Sequence, residues 1–139
     1  MKISCDRKKL IEALAVAQSA VPAKSTLAVL GNLHLAAEGD HLEITGTNID
    51  LWARIKVEAE VAEKGTITLP ARRFADVVRL MDAAEVGIHT DGAHATIKGG
   101  RATFKMMGLD AADYPVLPSF KPEHTLTLTQ NTLRNLIKK

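Results

Sequence analysis

With 139 residues and a formal net charge of +2, the chain is sized for one domain with a real core and is too short for two of ordinary size. Hydrophobic residues make up 46% and charged residues 24%, which excludes a disordered chain, and no apolar run approaches the ~20 residues of a membrane span. The start, MKISCDRKKL, has charges where an export signal needs its apolar stretch, so the sequence reads as cytoplasmic; its one cysteine, Cys5, excludes an internal disulfide.

Ile3 and Cys5 alternate with polar residues, which makes Cys5 a small buried hydrophobe in a strand. Asp6 offers an N-cap, and Leu10, Leu14, Ala17 and Val21 form a helical stripe that Pro22 ends. Leu33 and Leu35, then Leu42 and Ile44, flank a turn at Gly39 and Asp40 and predict a hairpin. From Asp50 to Val61 the alternation is complete and predicts one long strand, with Trp52 on its polar face and partly covered by a neighbour. Ile67 and Leu69 then predict a strand. Pro70 suits a first helical position, and Phe74, Val77, Val78 and Met81 make the apolar stripe of a second helix. Strands over 86–90, 93–98 and 101–107 follow, separated by Asp91-Gly92 and Gly99-Gly100. Past a loop rich in Asp and Pro, Leu126 and Leu128 predict a third strand, and Leu133, Leu136 and Ile137 a third helix.

These elements begin the same way three times. Ile3, Ile67 and Leu126 correspond, as do Cys5, Leu69 and Leu128, then Leu10, Phe74 and Leu133, then Leu14, Val78 and Ile137. A unit of one helix and several antiparallel strands cannot bury its own apolar face. Two such units predict a closed α+β domain with both helices on one face of the sheet.

Charge follows the same division. Between Gly31 and Lys64 seven acids face three bases, whereas the helical segments carry Arg7, Lys8, Lys9, Arg72, Arg73 and Arg79. In the second helix Arg72, Asp76 and Arg79 lie opposite the apolar stripe, and Lys24 follows the first helix in its loop. Such a surface suits phosphates without reading base sequence. Catalysis finds no support: GxSxG, Walker and GxGxxG motifs are absent, and the five histidines lack metal-ligand spacing. Gly99-Gly100 precedes a strand rather than a helix, and Asp110 and Asp113 read as turn formers beside Tyr114 and Pro115. The expectation is a non-catalytic protein with neither metal nor cofactor.

The stretches TLAVLGNLHL, HLEITGTNIDL, TLPARRFADVVRL and GRATFKMMGLDAADYPVLP, in that order, resemble the N-terminal domain of the bacterial DNA polymerase III beta subunit, the sliding-clamp family. Ala28, where the family usually has proline, and Asn48, where aspartate is common, are minor departures. The resemblance implies the DNA clamp fold: two strand-helix-three-strand half-domains, about 1–64 and 65–122, within a domain 1–122, with 123–139 beginning a second domain. The chain is then an N-terminal piece of a processivity factor that encircles double-stranded DNA and tethers the replicative polymerase. Carried over by position, Lys24 and Arg72 touch DNA, and Arg79 joins them from its helical face. Arg101, Thr103, Phe104 and Met106, with Arg73 and His94, fall on the subunit interface of a head-to-tail ring; Thr103 stands where a basic residue is often found. DNA polymerase III and the clamp loader bind through later domains, and the chain alone carries one of the two ring-contact surfaces. The alternative reading is a short clamp-like module that pairs edge strands and never encircles DNA.

Overall fold

The computed structural model describes residues 1–25, 27–116 and 124–138. Strand β1 (Lys2–Asp6) leads into helix α1 (Arg7–Gln18), and a 3-10 turn at Ala28–Gly31 precedes β2 (Asn32–Glu38), β3 (His41–Thr47) and β4 (Trp52–Glu63). The order then recurs: β5 (Gly65–Pro70), α2 (Ala71–Leu80), β6 (Glu85–Asp91), β7 (His94–Gly99) and β8 (Ala102–Met107). Helix α3 (Gln130–Lys138) closes the described chain.

All eight strands form one antiparallel sheet in the order β5-β2-β3-β4-β1-β6-β7-β8. The register reveals an internal two-fold. Ile3 opposite Ile88 in one half matches Ile67 opposite Leu35 in the other. Leu35 opposite Ile44 and Ile44 opposite Ile55 match Ile88 opposite Ile97 and Ile97 opposite Phe104. Ser4 opposite Glu60 matches the isolated bridge of Thr68 with Leu109. The junction of β1 with β4 thus spans four paired positions, whereas its counterpart has shrunk to that single bridge.

Both helices pack on the sheet and against one another. Asp6 caps α1 by accepting a hydrogen bond from the Lys9 N–H at 2.9 Å. Arg7 reaches the other end of its neighbour, donating to the carbonyls of Val78 at 3.0 Å and Arg79 at 2.7 Å in the last turn of α2. A guanidinium there adds to the sparse hydrogen bonding of the last-turn carbonyls, of which Val78 O also accepts from the Met81 N–H at 3.4 Å, at the negative end of the helix dipole. Leu10, Leu14, Phe74 and Val78 enter a common core with Leu33, Leu35, Ile44, Ile67, Leu69, Ile88 and Ile97, all almost wholly buried. Gly46 approaches the carbonyl of the small Ala17 at the end of α1, while Gly99, its counterpart, abuts the larger Met81 side chain. Cys5 is buried in this core, and burial pushes its thiol up to about 12, which makes it inert at neutral pH.

Some expectations are corrected. Pro70 precedes α2 rather than opening it. The long strand begins at Trp52, because residues 48–51 form a turn: Asn48 Oδ1 accepts from the Leu51 N–H at 2.7 Å and the Ile49 N–H donates to Thr47 Oγ1 at 2.8 Å. Ile49 sits there at φ 82°, a conformation that a β-branched residue adopts only when its surroundings impose it. Trp52 is half-buried, with its indole N–H donating to the Ile49 carbonyl at 3.1 Å. Leu126 and Leu128 form no strand: Leu126 is 82% exposed, and no described strand offers its backbone a ladder. α3 does form, capped by the Thr129 hydroxyl, but its Leu133, Leu136 and Ile137 are exposed. The 122/123 boundary lies outside the described residues.

The reduced junction is a clasp of two backbone hydrogen bonds, Thr68 N–H to Leu109 O at 3.1 Å and Leu109 N–H to Thr68 O at 3.0 Å. A Cβ on Gly108 would be driven into the Thr68 carbonyl oxygen, whereas one on Gly31 would meet open space. Gly108→Ala should therefore lower stability by ~1–3 kcal/mol, and Gly31→Ala by no more than ~0.5 kcal/mol, both read from urea unfolding midpoints. Equal midpoints for the two variants would remove the clasp from the stability of the sheet.

Candidate nucleic-acid interface

The helices present their charge away from the sheet. Lys8 on α1 and Arg72 on α2 occupy equivalent positions under the two-fold; both are exposed, and neither has an ion-pair partner among the described residues. Lys24 is exposed in the loop after α1, and its neighbour Ala23 lines one surface hollow together with Gln18, Gly31, Ala71 and Arg72. The loop and the start of α2 therefore lie side by side. At that start Pro70 supplies no side-chain cap, and no acid occupies the first turn. Among the described residues no side chain caps the first N–H groups of α2, which lie next to Arg72, an arrangement that favours an anion.

Other cations are already engaged. Arg79 pairs with Asp76 one turn away at 3.4 Å, both exposed, a contact worth little in water that still offsets part of its charge. Lys9 leans off α1 to Glu58 of β4 at 3.5 Å. On the sheet, Arg54 pairs with Glu43 at 3.4 Å. The helical surface thus keeps Lys8, Lys24, Arg72 and Arg73 available. Lys8 is missing from the residues nominated by sequence; only its equivalence to Arg72 singles it out.

The β8 set is divided by the pleat. Phe104 packs partly against the core and Met106 is buried beside it, while Thr103 points outward and Arg101 is exposed in the turn before the strand. β8 ends the sheet and pairs only with β7, leaving its other edge without a ladder among the described residues. His94 opposes Met107 at the far end from Arg101. Arg73 is exposed on α2, and no described hydrogen bond or ion pair joins it to β8.

The segment after β8 folds back over the outer side of the first half. Asp110 accepts from the Ala112 N–H at 2.9 Å and caps a turn at Ala111–Asp113, the turn-forming role expected of it. The Tyr114 hydroxyl then donates to the Thr45 carbonyl at 3.2 Å, and its ring lies 5.3 Å from that of His34. Burial raises the Tyr114 phenol to about 12, against a backbone hydrogen bond that lowers it. Burial also lowers the His34 pKa, helped by Arg54 and opposed by Glu43.

Among the described residues no cluster of His, Cys, Asp and Glu could hold a metal, and no helix is long and apolar enough to cross a membrane. A doubled strand-helix-three-strand unit with a continuous antiparallel sheet is the architecture of a clamp domain. The Caulobacter crescentus pol III beta structure superposes with a TM-score of 0.94 at 32% identity, over all of this chain and 38% of that one. The family model for the DNA polymerase III beta subunit, N-terminal domain, matches residues 1–118, and the chain belongs to that family. It is 35% identical over its whole length to the beta sliding clamp of Vibrio cholerae, of which it spans 38%. It is 34% identical to a beta sliding clamp sequence from Vibrio harveyi, of which it covers 97%.

Because His34 is held below the ordinary histidine value of 6.5, the unfolded chain binds a proton that the folded chain refuses. This contribution to stability is complete above that value and is lost as pH falls from it through the lower folded value. Unfolding free energy measured from pH 7.5 down to 5 should fall less in His34→Gln than in the parent chain. Parallel pH profiles would show that His34 titrates alike in both states.

Proposed function

We propose that residues 1–122 form the first domain of a sliding clamp, with 123–139 beginning a second, and that this domain holds duplex DNA by its phosphates inside a head-to-tail ring. The observation that carries this reading is the separation of charge across the fold: available cations sit on two adjacent helices, while most acids of the first half sit on strands and turns. Lys24 and Arg72 contact phosphates in this reading, with Arg79 contributing through the charge Asp76 leaves it. Lys8 joins them as the counterpart of Arg72. With no base-reading motif the contact is indifferent to sequence, which a protein that slides requires.

The ring contact falls to the β8 edge. Arg101 and Thr103 meet the partner directly, Phe104 and Met106 shape the edge from beneath, and Arg73 and His94 stand at its sides. The activity is topological rather than catalytic and calls for no cofactor: a closed ring keeps a DNA polymerase on its template. Polymerase and clamp-loader contacts lie beyond these residues.

Duplex binding by the chain at low salt, followed by fluorescence anisotropy, should be weak and fall linearly with log salt. Changing Lys24 and Arg72 together to alanine should flatten the slope by about 0.9 for each phosphate no longer neutralised, with the thermal unfolding midpoint unchanged because both side chains are exposed. Lys8→Ala should act in the same direction. A slope unaffected by the double change would take these residues off the DNA surface.

A further inference from the structure

One place on the outer face of the sheet breaks the internal two-fold. His34 on β2 corresponds to Gly87 on β6, since Leu35 and Ile88 are equivalent in the strand registers. A Cβ on Gly87 would have only backbone atoms within 4 Å, so no side chain lies close over the second half there. His34, in contrast, is half-buried. Its cover comes from the segment after β8, which folds back and sets the Tyr114 ring centre 5.3 Å from that of the imidazole.

The cross-strand neighbours of His34 are the two points at which that segment is held. Opposite it on β3 stands Thr45, whose carbonyl accepts from the Tyr114 hydroxyl at 3.2 Å. Opposite it on β5 stands Thr68, which carries the clasp to Leu109. Beside the two rings a hollow of about 180 Å³ remains, lined also by Trp52, Arg54 and Val116. Tyr114 itself is only 6% exposed.

The surroundings of the imidazole disfavour a proton on it. β3 brings Glu43, and β4 brings Arg54, which pairs with Glu43 at 3.4 Å, and Lys56, which stands opposite Glu43. β5 brings Thr66 and Thr68 and no titratable group, while the fold-back segment adds Asp110 and Asp113, both exposed, to the phenol of Tyr114. Burial is the largest effect on His34 and lowers its pKa; Glu43 opposes that shift and Arg54 adds to it. An imidazolium under the Tyr114 ring lacks the water it needs.

We propose that His34 is a proton-controlled latch for residues 110–116: neutral, it lies under Tyr114 and the segment stays on the outer face; protonated, it expels that ring and the segment lifts away. Lifting breaks one hydroxyl bond and one ring contact and leaves the core between sheet and helices intact, so the opening is local. The open form binds the proton that the closed form refuses, and acid therefore favours it. Below the ordinary histidine value of 6.5, the opening constant rises up to about tenfold per pH unit until His34 titrates in the closed form as well. The latch calls on neither DNA nor the ring.

Tyr114 is the one tyrosine of the chain, so its ring resonances identify themselves in NMR spectra. In the parent chain the nuclear Overhauser contact between the Tyr114 and His34 rings should fade as pH is lowered from 7.5 to 5, while the amide signals of Ile88 and Ile97 in mid-sheet stay in place. His34→Gln should hold the Tyr114 ring in position across the whole range. Tyr114→Phe, which loses the hydroxyl bond and keeps the cover, should open at higher pH than the parent. Tyr114→Ala should bring the His34 titration up towards its ordinary value. A ring contact that survives complete titration of His34 would overturn the latch, as would a His34 titration that Tyr114→Ala leaves unmoved or lowers. Loss of the mid-sheet signals together with the ring contact would also overturn it, because the acid transition is then unfolding of the whole domain.

Discussion

Neither half of this fold can complete its sheet from its own strands. β1 begins the first half but lies between β4 and β6, pairing with the second half along its whole length, and β5 begins the second half but pairs with β2 of the first. Each half therefore lends its opening strand to the other. The apolar faces of both helices meet a sheet that exists only when the halves are joined, which ties core formation to assembly of the whole. The near-complete burial of Leu10, Leu14, Phe74 and Val78 follows from that exchange.

Once the core is fixed in this way, the helices have one side left for solvent. Arg7 bolts the start of α1 to the end of α2, so the two helices cannot slide apart without exposing the last carbonyls of α2. Lys8 and Arg72 then occupy equivalent stations on a shared surface, and the loop carrying Lys24 rests against the start of α2. Charge that in sequence looks like two separate basic clusters and a lone Lys24 becomes one field. Most acids of the first half go elsewhere, because they stand in turns or on strands whose alternation sends them to the other surfaces of the sheet.

The two complete units were legible because their hydrophobic period changes from two to about 3.6 at the same place, and because Asp6 marks a helix start that local hydrogen bonding enforces. The third unit shows where that logic stops. Its helix forms with its own cap, but alternation at Leu126 and Leu128 is only an invitation to pair, and a strand needs a neighbour to accept it. β8 poses a related limit: alternation puts Phe104 and Met106 on one face, yet it does not say whether that face looks at the core or at a partner. The ion pair of Lys9 with Glu58 joins residues far apart in the chain, and the equivalence of residues 55–58 of β4 with residues 104–107 of β8 emerges only from strand register.

The clasp between Thr68 and Leu109 has a mechanical meaning. A pull on the chain from beyond residue 116 first loads the hydroxyl contact of Tyr114 with Thr45, then the two backbone hydrogen bonds of the clasp and the Thr68 hydroxyl bond to the Leu109 carbonyl, and only afterwards the six paired positions of β8 with β7. The seam is thus a fuse in series with a much stronger ladder. Tension arriving from that side would spend itself by unzipping the fold-back segment and lengthening the chain, while the sheet that carries the two helices keeps its shape.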